Sequence, residues 1–449
     1  MNRPTIITNA RIVSENGITE GDVRIRDGRI EKISGGGEST EGASVFDAEG
    51  RHLLPGMIDD QVHFREPGLT HKGSIATESR AALAGGITSF MEMPNTSPPT
   101  LTLDALEDKY TRAAEVAATN YAYYMGASND NLEVIRSLPP GQACGVKIFM
   151  GASTGNMLVD NEETLAGIFR EAQTVIATHC ESTPRIELRL QQAIEKYGED
   201  IPVTEHPWIR DAQSCLESST IAVELAKTYD AQLHVLHLTT ADEMALFEPG
   251  PIENKNITAE VCVHFLHFNS DDYPRMGNRI KCNPSIKSPR DQAALIEALQ
   301  QGKIDVLATD HAPHTAEEKA QTNYLKAPAG LPLVQDAMLC ILEHFHNGNF
   351  SLQDIVRLTS HNVARRFGVI DRGFIREGYW ADLVLVDTTT PTLVRPENIL
   401  YKCGWSPFEG HQFSSRIAST WVNGELAWDG SEVLDHNASM RLEFRAVRS

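Results

Sequence analysis

Five side chains able to bind a metal or move a proton fall on, or just after, short apolar runs. They are His63 after Ile58 to Val62, Lys147 within Val146 to Met150, His179 after Val175 to Thr178, His237 after Val235-Leu236, and Asp310 after Val306 to Thr309. Imidazole nitrogens and a carboxylate oxygen are the donors of a catalytic zinc site, which activates water and polarises a carbonyl. Taken one at a time, each is more readily a hydrogen-bonded core residue than a ligand. At the ends of successive runs they describe one centre. His234, His264 and His267 lie near the same runs but off their ends, and they read as structural. Lys147 leaves two readings open, because an ammonium has no lone pair to offer a metal. It is either a buried Lys paired with Asp310, or a carbamate formed with CO2 whose two oxygens bridge cations about 3.5–4 Å apart.

The elements that must position these residues follow from the pattern of runs. Eight short apolar stretches occur at 56–64, 87–93, 120–125, 145–150, 174–180, 232–238, 257–264 and 304–310. Helix-compatible segments at 103–118, 162–173, 214–229 and 290–301 separate several of them. Strand and helix in alternation imply a parallel sheet, and eight such units close most simply as a (β/α)8 barrel whose strand ends meet at one mouth. The stretch 181–211 is longer and less regular than one helix needs, which predicts an elaborated loop. Both chain ends show β-branched runs with tight turns, among them Asp27-Gly28, so they predict one small β-sandwich built by a chain that leaves and returns. The expected division is 1–54 and 371–449 for the sandwich and 55–370 for the barrel.

Bulk properties narrow the partners. A net charge of -21 opposes nucleic acid and anionic membranes, so a small anionic ligand would need an Arg or Lys inside its pocket. No run approaches the about 20 apolar residues of a membrane helix. Seven scattered cysteines with no C-x-x-C pair read as reduced thiols, and together these features predict a cytoplasmic protein.

Three segments carry a family resemblance: Pro55-Gly56-Met57-Ile58-Asp59-Asp60-Gln61-Val62-His63-Phe64-Arg65-Glu66-Pro67-Gly68, Met93-Pro94-Asn95-Thr96, and Ala308-Thr309-Asp310-His311-Ala312-Pro313-His314. They resemble motifs of the dihydroorotases in the amidohydrolase superfamily, and the similarity spans nearly the whole chain. It implies a (β/α)8 barrel with a split sandwich. It also implies one or two Zn2+ held by His63, carboxylated Lys147, His179, His237 and Asp310. Substrate contacts are implied at Arg65, Asn95, Asn283 and His314, and at Ala329-Gly330 in a closing loop. Asp310 would serve as general acid and base. The implied reaction is reversible opening of the cyclic amide of dihydroorotate in pyrimidine synthesis, by a homo-oligomer such as a dimer.

One position departs from the pattern. The family has His-x-His at the end of the first strand, and here Gln61 replaces the first His. An amide oxygen is a poorer zinc ligand than imidazole, so the first metal is held loosely, only the second is kept, or catalysis is lost. The rival readings are a hydantoinase or allantoinase, which by resemblance lack an Arg where Arg65 stands, and a non-catalytic scaffold. Arg65 is decisive because its fork matches a carboxylate. Its plain alternative is a surface Arg paired with Glu66.

Overall fold

A computed structural model describes residues 3–151 and 155–446; the outermost residues of the two expected end segments lie outside it. Eight parallel strands follow one another around the barrel: Met57–Val62, Ile87–Glu92, Asn120–Tyr123 resumed at Met125–Gly126, Val146–Phe149, Ile176–His179, Leu233–Val235, Ile257–Cys262 and Val306–Ala308. A parallel bridge between Val62 and His311 brings the eighth strand back to the first. The first two strands are buried at every residue, as strands covered on both faces must be, which is why they read as near-continuous apolar runs. All but the third of the ordered strands end before their apolar runs do. His63, His237 and Asp310, just past the ends of their strands, leave the ladder for the mouth, whereas Lys147 and His179 reach it from within the ladder.

Helix starts are fixed by side-chain caps. Ser74, Thr102, Asn161, Asp211 and Ser288 each accept a backbone N–H in the first turn of the helices Ile75–Ala84, Leu103–Val116, Glu162–Glu171, Ala212–Tyr229 and Pro289–Gln300. Each such cap contributes about 0.5–2 kcal/mol and fixes where the loop carrying site residues ends.

The segment 181–211 corrects the expectation of a loop. It contains a helix, Thr183–Tyr197, followed by single turns at Val203–Glu205 and His206–Ile209. Ile186, Leu190, Ala193, Ile194 and Tyr197 recur at helical spacing and pack against Ile201, Ile209 and Tyr324. Only that stripe is apolar, so the helix is hidden in a largely polar sequence.

Both ends of the chain enter one eight-stranded sheet. His52–Pro55 pairs antiparallel with Leu383–Asp387, stitching N-terminal strands to C-terminal ones. Asp27-Gly28 and Asn423-Gly424 both have positive φ, as two-residue hairpin turns require. A separate core that includes Ile7, Val23, Ile25, Leu53, Leu385 and Trp421 holds this domain together. All seven cysteines are buried and unpaired. Among the described residues no helix is long and apolar enough to cross a membrane.

Candidate active site

The C-terminal strand ends surround a cavity of about 350 Å³. His63, Lys147, His179, His237 and Asp310 all line it, together with Arg65, Asn95, Asn283, His314, Ala329 and Gly330. Every site residue expected from the sequence is thus brought to one place. His264 and His267 are not among the residues lining it.

Three of these residues sit on strained backbone. Arg65, His237 and Asp310 have φ of 70°, 40° and 52°, a region costing non-glycine residues about 1–3 kcal/mol unless their surroundings enforce it. At His237 the backbone N–H is held by Glu260 Oε1 at 3.0 Å. Beside Asp310, Thr309 donates its hydroxyl to Asp59 Oδ2 at 2.6 Å and accepts the His311 N–H at 2.9 Å. These bonds fix the side chains that the strain aims inward.

Hydrogen bonding also sets which nitrogen each imidazole presents. His63 Nδ1 donates to Asn95 Oδ1 at 2.7 Å, and its Nε2 lies 3.1 Å from Asp310 Oδ1. Glu181 Oε2 lies 2.8 Å from His179 Nε2, which leaves Nδ1 facing His237 Nε2 at 2.9 Å. Two nitrogens on one tetrahedral zinc stand about 3.3 Å apart, so both pairs have nearly the spacing of ligands around a cation. Burial lowers the pKa of His63, His179 and His237, keeping the rings neutral and able to coordinate. Burial alone would raise the Glu181 carboxyl, but Arg210 and His179 outweigh it and pull it down to about 2. Glu181 therefore stays an acceptor, the usual partner behind a metal-binding His.

Lys147 is 1% exposed, and burial pushes its amine down to about 8. Among the described residues no carboxylate lies within 4.0 Å of it, so the ion pair with Asp310 is not formed; its Nζ sits 4.6 Å from the Phe149 ring centroid. Gln61 turns its amide nitrogen, not its oxygen, to Asp310 Oδ1 at 3.2 Å. In that orientation it offers the centre no ligand atom.

Across the cavity the groups suit an anion. Arg65 is 8% exposed and gives its Nε–H to Pro313 O at 3.1 Å. It is not a surface Arg paired with Glu66, whose Oε2 instead accepts the Ile75 N–H at 3.0 Å. Among the described residues no carboxylate comes within 4.0 Å of the Arg65 guanidinium. Burial lowers its pKa to about 10, which leaves it charged. His314, 3.2 Å from Arg65 Nη2 and 3.0 Å from Lys72 Nζ, is driven strongly toward the neutral form by burial and these cations. Its Nε2 is 3.0 Å from Ala329 O. The Asn283 amide oxygen is buried without a partner, free to accept an N–H from a ligand.

Sequence reasoning passed over Glu181, Lys72 and a second cluster. Glu181 had a signal, an acid two residues past a strand-end His; Lys72 had none. The second cluster is Asp60, His234 and Glu260, all 0% exposed. Among the described residues these form the group of His and carboxylates whose ligand atoms lie within 4.8 Å of one another, and they could hold a metal. His234 Nε2 is 3.1 Å from Asp60 Oδ2 and 3.7 Å from Glu260 Oε2, and its Nδ1 is 2.8 Å from Thr258 Oγ1. Burial opposes charge on His234, but the two carboxylates outweigh it and raise its pKa; burial and Asp60 raise Glu260 to about 7.

Residues 52–427 match the model of the Amidohydrolase family. The chain is 34% identical to a dihydroorotase of Halobacterium salinarum, over 92% of this chain and 95% of that one. It is 30% identical to an L-hydantoinase of Paenarthrobacter aurescens, over 96% and 95%. Among solved structures, the L-hydantoinase (dihydropyrimidinase) from Arthrobacter aurescens superposes with a TM-score of 0.92 at 29% identity, covering 98% of this chain and 99% of that one.

Proposed function

The chain belongs to the amidohydrolase family, as a hydrolase of cyclic amides, and from that premise we propose that its substrate is dihydroorotate, opened reversibly to N-carbamoyl-aspartate. The observation that carries the choice is Arg65, a buried cation lining the cavity with no carboxylate of its own. A desolvated guanidinium without a counter-ion is costly, and a substrate carboxylate would relieve that cost bidentately. A hydantoin ring has none to give.

The mouth donor set fits one or two zinc ions. His63 and Asp310 would hold the first, His179 and His237 the second, with Lys147 between them. For that role the neutral Lys147 amine adds to CO2 and releases a proton, giving a carbamate with two ligand oxygens. A lowered pKa supplies the neutral amine at ordinary pH. The bound metal would supply hydroxide near neutral pH and polarise the scissile carbonyl. Asp310 would take the proton from the attacking water and deliver it to the departing amide nitrogen. Arg65 and His314 would grip the carboxylate. Asn283 would accept a ring N–H, and the Asn95 amide group, its oxygen engaged by His63, would donate. The unpaired buried thiols support a reducing, cytoplasmic setting.

The second reading, a hydantoinase, is favoured by the superposition on an L-hydantoinase. Metal-loaded protein assayed on dihydroorotate, hydantoin and dihydrouracil separates the two. The expected result is a kcat/KM on dihydroorotate at least about tenfold above the others, the worth of one charge-assisted contact. The reverse order overturns the assignment.

A further inference from the structure

At the opposite end of the barrel lies a second cavity, of about 490 Å³. Gln232, Lys255 and Asn256, which line it, immediately precede the strands Leu233–Val235 and Ile257–Cys262, so it opens at the N-terminal strand ends and shares no residue with the mouth. Six cations line it, Lys255, Arg365, Arg366, Arg372, Arg376 and Arg445, against one carboxylate, Glu253. In a chain of net charge -21 that is a local inversion of sign.

The pairing around this cavity is incomplete. Lys255 meets Asp305 at 2.7 Å, Arg365 meets Glu253 at 2.8 Å, Arg372 meets Asp382, and Arg376 Nε meets Glu15 at 2.7 Å. Arg445 reaches Asp371 only at 3.8 Å, and Asp371 is already engaged by Arg29 at 3.1 Å. Arg366 is 5% exposed and, among the described residues, has no carboxylate within 4.0 Å. Its Nη atoms donate to neutral oxygens of Gln232 and Asn256 at 2.8 and 3.1 Å, and its Nε is buried without a partner. Among the described residues, and counting Arg29, seven cations meet five carboxylates in this network, while a sixth, Asp230, accepts the Asn256 amide N–H at 2.6 Å.

One wall is aromatic. Phe374 stacks on His361 at 4.4 Å, Arg376 lies over its ring at 4.1 Å, and Tyr379 stands 6.0 Å away. A phosphate monoester carries nearly two negative charges and strong acceptor oxygens that suit Arg forks.

We propose that this basal cavity binds a small phosphate monoester, with Arg366 and Arg445 as its principal anchors and the Phe374–Tyr379 wall against the rest of the ligand. Occupancy of this site is independent of the substrate chosen at the mouth. Calorimetric titration of the full, metal-loaded chain with inorganic phosphate and with adenosine monophosphate tests it. Saturable one-to-one binding is expected, weakened about tenfold or more in Arg366→Met and in Arg445→Ser, with ring-opening activity unchanged. Tighter binding of the nucleotide identifies a phosphorylated organic ligand, and equal binding identifies free phosphate; both support the site. If Arg366→Met does not fold, Arg445→Ser alone decides. No saturable binding of either probe, or binding untouched by the substitutions in folded protein, overturns the proposal.

Discussion

Two clusters of ionisable groups lie in this barrel, and they differ in what can neutralise them. At the mouth, His63 faces Asp310 and His179 faces His237 at close to ligand spacing, while Asn95 and Glu181 occupy the outer nitrogens of His63 and His179. Lys147 stands between with no ion pair within 4.0 Å among the described residues. Deeper in, Asp60, His234 and Glu260 can satisfy one another with protons alone: an imidazolium beside one carboxylate, with burial and Asp60 pushing the Glu260 carboxyl toward its protonated form. Residues of ligand type gathered in space are therefore not yet a metal site. The distinction is whether a proton or a cation neutralises each cluster, and the substitutions below decide it for both.

Lys147→Ala breaks the comparison most severely. Without the bridge, the mouth should lose metal and about 10³-fold or more in kcat/KM, since a Lewis acid is worth several kcal/mol. Short carboxylic acids should restore part of both. Native mass spectrometry should show one added CO2 unit on the unsubstituted protein. A free ammonium on Lys147 in fully metallated, active enzyme would sink the carbamate.

Arg65→Met comes next. Losing one partner of a buried charge pair costs about 2–5 kcal/mol, so kcat/KM on dihydroorotate should fall roughly 30- to several-thousand-fold. Metal content should not change, and activity on a ring lacking the carboxylate should hold or rise. Equal activity on dihydroorotate before and after substitution removes the main reason for preferring it over a hydantoin.

His234→Ala asks whether the deep cluster is structural or metallic. Removing the imidazole leaves Asp60 and Glu260 buried together, which costs about 3–5 kcal/mol of folding stability if a proton was the neutralising cation. Denaturant titration should record that loss with metal content intact in the folded fraction. A fall of one metal equivalent per chain instead moves a metal to the deep cluster.

How far these features could be read from the sequence follows from where each sits. Strand-end residues such as His179 and Asp310 interrupt apolar runs, and a parallel barrel must gather such ends, so the mouth was legible. Asp60 and Glu260 lie inside runs, where nothing in the sequence singles them out; only the fold shows both turned toward His234. Glu181 takes its role from Arg210, which the hidden helix Thr183–Tyr197 and the turns after it carry back to the strand end. The basal arginines come from positions 365 to 445 with no local pattern, and burial without counter-ions cannot be seen before folding.

Gln61→His carries the smallest expected effect on rate and the finest test of the mouth. In the unsubstituted chain the Gln61 amide nitrogen donates to Asp310 Oδ1 at 3.2 Å, so a first metal held there would have His63 and Asp310 but no second imidazole. His179 and His237 keep both of theirs. Dialysis against a mild chelator should therefore leave one metal tight and strip the other, as measured by elemental analysis. An imidazole at position 61 replaces a donor with a lone pair beside Asp310, and Cys262, whose Sγ lies 3.8 Å from the Gln61 Oε1, is the neighbour that must accommodate the ring. The substituted protein should retain close to two equivalents through the same dialysis. Its kcat should change by less than about tenfold, because a stronger ligand adds affinity to both ground and transition states and only differential binding alters the rate. Two equally tight equivalents before the change would show that the mouth never lacked a ligand, and no gain afterwards would show that position 61 is not one.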